Sequence, residues 1–314
     1  MKKSETKIPA DYIMPIAING LHGRVLRLPA KQKKNTNRQI LMLYGHHASL
    51  ERMFGIIENL ADYGTVTMPD LPGFGGMDSF YSIGKSASLD AYADYIAALV
   101  QMRYKRKKVT LVGISFGFLV ATRMLQRYPE LANRIELLVS AAGFMRRDDF
   151  TFSKRRYNTY RYGAAVLSNR PLPFVFRYTA LTAPVLRALY ARTHNAKHKF
   201  SLAGNNQKTF EQMMNMEIGL WQNNDVRTYM KTTVELLTVD NCGSAIDLPV
   251  WHVYTDNDNY FDNAIVEQHM RIVYNKFHPV KINAKTHAPS VIATKQEAAA
   301  MIPAKLKKVF AKTK

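Results

Sequence analysis

The chain has 314 residues, 47% of them hydrophobic, which suits one α/β core plus an insertion and excludes a disordered or low-complexity protein. Its 44 Lys and Arg against 24 Asp and Glu give a formal net charge of +20. That charge attracts nucleic acid, anionic membranes, acidic proteins or anionic metabolites without choosing among them, and it serves equally as a plain solvated coat. The single cysteine, Cys242, excludes an intrachain disulfide and fits a reducing compartment.

Along the chain, residues 13–18 and 24–28 read as two short antiparallel strands around Asn19-Gly20 and Gly23. Residues 39–44 form an apolar run of strand length, expected to be buried on both faces. A helix is predicted over 50–63, with Met53, Ile56, Ile57 and Leu60 on one face, followed by a strand over 65–68. A helix over 87–103, a β-branched strand over 109–114, a helix over 116–128 and a strand over 135–139 continue the alternation. From 144 to 246 the pattern is helical, with no convincing strand. Alternation resumes with a strand at 250–254, a helix at 263–275, a strand at 280–284 and a last helix at 296–311. Strand–helix alternation predicts a mostly parallel sheet flanked by helices. The interruption divides the chain into a core of residues 1–143 and 247–314 and a helical cap insertion over 144–246.

The most specific motif is Gly113-Ile114-Ser115-Phe116-Gly117, a G-x-S-x-G between a buried strand and a helix. Small residues flank the serine because its turn is strained and backbone must pass close by. A serine hydroxyl needs a base. His287 is placed best of the nine histidines, in the loop between the last strand and the last helix, on the carboxyl edge where α/β sheets gather their chemistry. The orienting acid is sought in Thr255-Asp256-Asn257-Asp258-Asn259, after the strand at 250–254. Asp256 and Asp258 both qualify and Asp262 is a weaker third; Asp258 is preferred because the first residues form the turn that presents it. The backbone N–H groups of Phe116 and His46 are the expected oxyanion donors. A competing reading of His46-His47 as a metal pair lacks a nearby third ligand, so neither metal nor cofactor is expected.

These pieces, in order, resemble the α/β-hydrolase superfamily in its esterase- and lipase-like branch with a helical cap. The resemblance covers nearly the whole chain: Leu43-Tyr44-Gly45-His46, Pro69-Asp70-Leu71-Pro72-Gly73-Phe74-Gly75, the G-x-S-x-G motif, Tyr254-Thr255-Asp256-Asn257-Asp258 and Thr286-His287-Ala288-Pro289. It implies Ser115 as nucleophile, Asp258 as acid, His287 as base and His46 as oxyanion residue, and it places the D-x-P-G-F-G turn beside the site. Tyr44 and Thr255 depart from the family's usual His and Gly. A Ser nucleophile argues against the family's epoxide hydrolases and haloalkane dehalogenases, which use a carboxylate.

Between Thr151 and Phe210 there are eleven Lys or Arg and no Asp or Glu, with aromatics interleaved. This basic cap suits an anionic membrane surface, a phosphorylated acyl carrier or a small carboxylate, with Arg155, Arg156 and Arg161 as candidate anion-binding residues. It argues against an aminopeptidase, whose site needs acids for the substrate ammonium. No nucleic-acid-binding module is recognisable. Met213, Met214, Met216 and Trp221 suit an acyl pocket, although at helical spacing such residues are more often plain core.

The expected function is a serine hydrolase acting on a carboxylic ester of an apolar acyl substrate. A thioesterase or acyltransferase is the alternative within the class, and a non-catalytic membrane- or partner-binding protein the alternative outside it. The N-terminus is charged but lacks the apolar core of a signal peptide, and no run of 18 apolar residues occurs, so the expected location is cytoplasmic, peripheral to the membrane if the cap binds it.

Overall fold

The structure, a computed structural model, describes residues 8–192, 200, 206–283 and 294–312. In chain order these form β1 (Ile13–Ile18), β2 (Leu21–Leu28), β3 (Gln39–Leu43), α1 (Phe54–Leu60), β4 (Thr65–Pro69), α2 (Leu89–Arg103), β5 (Val109–Ile114), α3 (Phe116–Arg127) and β6 (Ile135–Ala141). Five helices follow: α4 (Lys154–Leu167), α5 (Leu172–Thr179), α6 (Ala183–Arg192), α7 (Gln207–Asn223) and α8 (Val226–Thr238). The chain then forms β7 (Ile246–Tyr254), α9 (Asn263–Val273), β8 (Tyr274–Lys281), α10 (Lys295–Ala300) and α11 (Ala304–Lys312).

The strands make one eight-stranded sheet in the order β1-β2-β4-β3-β5-β6-β7-β8. β2 runs antiparallel to both β1 and β4, and every other pairing is parallel. β3 and β4 are buried along their full length, as strands covered on both faces are. The connection from β3 runs outward to β4, whereas the connection from β4 returns past β3 to β5. Right-handed crossovers therefore place α1 on one face and α2 and α3 on the other. The packing agrees: α1 lies against α10, and α2 against α3.

This reversal makes the carboxyl ends of β3 and β5 a topological switch point, where loops diverge and leave a crevice. The loop Gly45-His46-His47 leaves β3 there, and Ser115 leaves β5 beside it.

Between β6 and β7 the described residues are helical, with their own apolar cluster that includes Ala164, Leu186, Met213, Met214, Ile218 and Met230. Met213 and Met214 are thus core of this segment. Its two crossings to the sheet run side by side: Arg147 N–H donates to the Val239 carbonyl and Asn241 N–H to that of Met145.

Three sequence expectations shift. The helix predicted over 263–275 stops at Val273 and β8 starts at once at Tyr274, six residues before the strand expected at 280–284. Tyr274, Phe277 and Val280 are the buried residues of β8, and their spacing of three reads as helix in sequence. β8 is an edge strand, so it tolerates Pro279. The last helix, expected over 296–311, is two helices parted before Ala304, because Pro303 has no N–H to donate. The helix expected over 50–63 is regular only from Phe54 to Leu60.

Candidate active site

Ser115 sits between β5 and α3 with φ 47° and ψ −113°, a conformation that β-carbon sterics disfavour for any residue but glycine. Its neighbours explain how the turn closes. A Cβ built on Gly117 would lie 2.3 Å from the Leu43 carbonyl oxygen, and one on Gly113 would lie 2.6 Å from the Phe118 Cα. Only glycine lets β3 and α3 approach this closely.

The carboxyl edge is laced from strand to strand. Ser115 N–H donates to the Ala141 carbonyl at 3.0 Å, and Ala142 N–H donates to the Val253 carbonyl at 2.8 Å, which ties the ends of β5, β6 and β7 together. Ser115 remains partly exposed.

The β3 loop lies directly against the serine: a Cβ on Gly45 would be 3.4 Å from the Ser115 Cβ. His46 follows, its ring edge-on to Phe116 at 5.9 Å and stacked on Tyr229 at 4.4 Å. Its Nε2 is 2.8 Å from the Thr232 hydroxyl, which itself donates to the Thr228 carbonyl, so the imidazole is assigned as the donor in its Nε2–H form. Burial, and then the neighbouring His47, lower its pKa to about 3, so the ring is neutral at pH 7. Ser115, Phe116 and the His46 loop are thereby brought together. Phe116 is the first residue of α3, where a backbone N–H has no acceptor within the helix.

The three carboxylates after β7 divide by partner. Asp256 is exposed and pairs with Lys281. Asp262 is the N-cap of α9, accepting from the N–H groups of Ala264 and Ile265. Asp258 is half-buried, and its Oδ1 accepts from the N–H groups of Tyr260 (2.8 Å) and Phe261 (3.2 Å). Thr255 is buried and shapes the turn: its hydroxyl accepts from Asn257 N–H and its carbonyl from the Asn263 amide. His287, the predicted base, lies outside the described residues.

Arg155 and Arg156 are exposed on the first turns of α4, and Arg161 is half-buried further along. The Arg156 guanidinium lies 4.2 Å over the Phe152 ring, and that of Arg161 lies 5.6 Å over Tyr162. Among the described residues no hydrogen bond or ring contact joins them to Ser115 or His46. Cys242 lies at the second crossing, with its thiol pushed up to about 11, first by burial and then by Asp240, so it is a poor nucleophile. Among the described residues no group of three His, Cys, Asp or Glu is placed to hold a metal ion.

Tyr44, one of the two departures from the family pattern, is fully buried; its hydroxyl donates to Asp70 at 3.1 Å and accepts from Leu71 N–H at 2.7 Å. Asp70, also fully buried, is held by Arg24 at 2.8 Å. Burial raises its pKa to about 7, against the opposing pull of Arg24. The D-x-P-G-F-G turn is thus fixed from inside by Tyr44. From outside it is fixed by the start of α8, where Asp225 N–H donates to the Gly73 carbonyl.

Sequence reasoning missed Glu217. This α7 residue is wholly buried and its carboxylate meets the His47 ring. The available signal was a lone acid within the methionine-rich segment Met213-Met214-Asn215-Met216-Glu217-Ile218.

A sequence profile of the α/β hydrolase fold family matches residues 39–273, well over half of the chain. No curated protein sequence matches significantly. Similar solved structures include a thermophilic esterase from Thermogutta terrifontis, with 17% identity, TM-score 0.61 and coverage of 95% of this chain and 98% of that one. An enol-lactonase from Burkholderia xenovorans LB400 shares 15% identity with TM-score 0.65 over 95% of this chain and 99% of its own. An esterase from Rhodococcus sp. ECU1013 shares 14% with TM-score 0.64, covering 96% and 100%. At such identities the likeness is one of fold. The profile match and the architecture agree, and the chain belongs to the α/β hydrolase fold family.

Proposed function

We propose that the protein is a serine hydrolase that cleaves a carboxylic ester through an acyl-enzyme. The observation that carries this reading is the strained backbone of Ser115 with the Gly45-His46 loop against it. Strain at a turn that lifts a hydroxyl above the sheet costs stability and has a purpose if the hydroxyl attacks a substrate. The esterases and the lactonase of similar fold support the same chemistry.

In this mechanism Ser115 Oγ attacks the acyl carbon while His287 takes its proton. The oxygen of the tetrahedral intermediate receives the N–H groups of His46 and Phe116, backed by the N-terminus of α3. His287 then protonates the departing alcohol. Water, losing its proton to His287, attacks the acyl-enzyme and releases the carboxylic acid and the free Ser115 hydroxyl. Asp258 holds the imidazole in the tautomer that accepts from serine. The helices between β6 and β7 act as a cap over this edge, and the acyl group they admit is apolar.

A fluorophosphonate probe tests the reading. Labelling of the wild type but not of Ser115→Ala, together with turnover of p-nitrophenyl esters, is expected. Equal labelling of both proteins, or none of either, overturns it.

A further inference from the structure

Three consecutive helices between β6 and β7 each leave an apolar pair spaced i, i+4 in water. On α4 the pair is Tyr162 and Val166, on α5 Phe174 and Tyr178, and on α6 Val185 and Leu189. Phe174 is 66% exposed and Tyr178 63%, and their rings pack on each other at 4.6 Å. Residues four apart share one helix face, so these are outward stripes and not scattered exceptions. The inward faces are occupied separately: Ala164 and Leu186 are buried in the segment's own core, and Phe176 of α5 packs against it.

Within the stretch that carries the stripes the charge has one sign. No Asp or Glu occurs from Thr151 to Phe210. Arg177 and Arg187 are engaged within the segment, with the carbonyl of Gln222 and the carboxylate of Glu211. Lys154, Arg155, Arg170 and Arg192 are exposed, and among the described residues none of the four forms an ion pair.

We propose that this face of α4–α6 docks on an anionic lipid surface. Aromatic and aliphatic side chains enter the headgroup region while the cations stay at phosphate level. A second copy of the chain is a poor occupant, since a two-fold contact would set one uncompensated basic face against another. Nucleic acid would use the cations and leave the aliphatic pairs in water. Among the described residues no helix is long and apolar enough to cross a membrane, so the attachment is peripheral. The proposal does not depend on the chemistry of Ser115.

The test is cosedimentation of the full chain, as Ser115→Ala so that no lipid is consumed. The vesicles are phosphatidylcholine alone, or phosphatidylcholine with about 30 mol% phosphatidylglycerol. Binding to the anionic vesicles about ten-fold or more above the neutral ones, and weakened by added salt, is expected. The double variant Phe174→Ser/Tyr178→Ser loses most of that binding. The triple variant Arg155→Gln/Arg170→Gln/Arg192→Gln loses the preference for anionic lipid. All five side chains are exposed, so the folded state is kept, as circular dichroism verifies. Three outcomes overturn the proposal: equal or negligible binding to both vesicle types, binding indifferent to both variants, or a dimer in sedimentation that the Phe174/Tyr178 change dissolves without any vesicle binding. Selective binding to single-stranded DNA in place of vesicles overturns it in favour of a nucleic-acid surface. Fluorophosphonate labelling of the wild type is scored separately, so failure of the docking and failure of the hydrolase reading are told apart.

Discussion

The Glu217 carboxylate on α7 lies 3.1 Å from His47 Nε2 in the loop that follows β3, and both side chains are shielded from solvent. Tyr190 O–H donates to the same carboxylate oxygen at 2.5 Å, and Trp221 N–H donates to Tyr190 at 3.1 Å. Buried Arg52 donates to the His47 carbonyl at 2.8 Å, and the charge of Glu217 helps keep that guanidinium protonated against the effect of burial. His47 itself has φ 58°, a left-handed conformation that this network holds in place. The helical segment therefore grips the residue next to His46.

In the proposed mechanism, loss of this grip moves the His46 N–H away from the developing oxyanion. Glu217→Gln is expected to lower kcat on an ester about ten-fold with a smaller change in KM, since the lost interaction acts on the transition state. Glu217→Ala, which removes the acceptor of the Tyr190 hydroxyl and the partner of the His47 ring, should also lower stability by about 3 kcal/mol. Steady-state kinetics and urea denaturation check both. An unchanged kcat in a folded Glu217→Gln protein would detach the network from catalysis.

Tyr44→Phe removes one hydroxyl that serves two buried partners, Asp70 and the Leu71 N–H. A loss of about 1–3 kcal/mol is expected, the cost of leaving such groups unsatisfied. A urea midpoint equal to wild type would show that the D-x-P-G-F-G turn is held without Tyr44.

Two histidines with depressed pKa values set an acid limit. His46 and His252 both have pKa values lowered to about 3 by burial, against 6.5 when unfolded. Between those values the unfolded chain binds protons that the folded chain does not, so stability falls as pH drops from 6.5 and this contribution levels off near 3. His252 Nδ1 is 2.9 Å from the Ser140 hydroxyl, and glutamine can keep a hydrogen bond there without titrating. His252→Gln should reduce the slope of unfolding free energy against pH by about one proton, about 1.4 kcal/mol per pH unit. Parallel slopes for the two proteins would show that His252 is protonated in the fold.

Two glycine substitutions should act with opposite sign. Gly117→Ala forces a Cβ against the Leu43 carbonyl, where backbone cannot yield, and should cost about 3 kcal/mol or more together with all activity. Gly219→Ala, inside α7 with nothing within 4 Å of the added carbon, should gain up to about 1 kcal/mol from helix propensity. Thermal melts of the two variants check the contrast.

Legibility in the sequence followed the physics of each signal. The central strands β3 and β5 were plain because they are short, almost wholly apolar runs bounded by turn residues. Ser115 was plain because the glycines at 113 and 117 are sterically obligatory whatever the rest of the chain does. β8 was obscure because no turn residue parts Val273 from Tyr274, and a buried residue at every third position fits helix and edge strand alike.

Local chemistry, then, determined the order of strands and helices and the turn that carries Ser115, since both depend on residues within a few positions of one another. Only the tertiary structure decided how that turn is supported. Tyr44 reaches Asp70 across 26 positions and Glu217 reaches His47 across 170, and no periodicity carries such a pairing. The same holds for the carboxylates after β7. All three have the right chemistry in sequence, and folding engages Asp256 with Lys281 and Asp262 with the start of α9, while Asp258 Oδ1 accepts from the Tyr260 and Phe261 N–H groups.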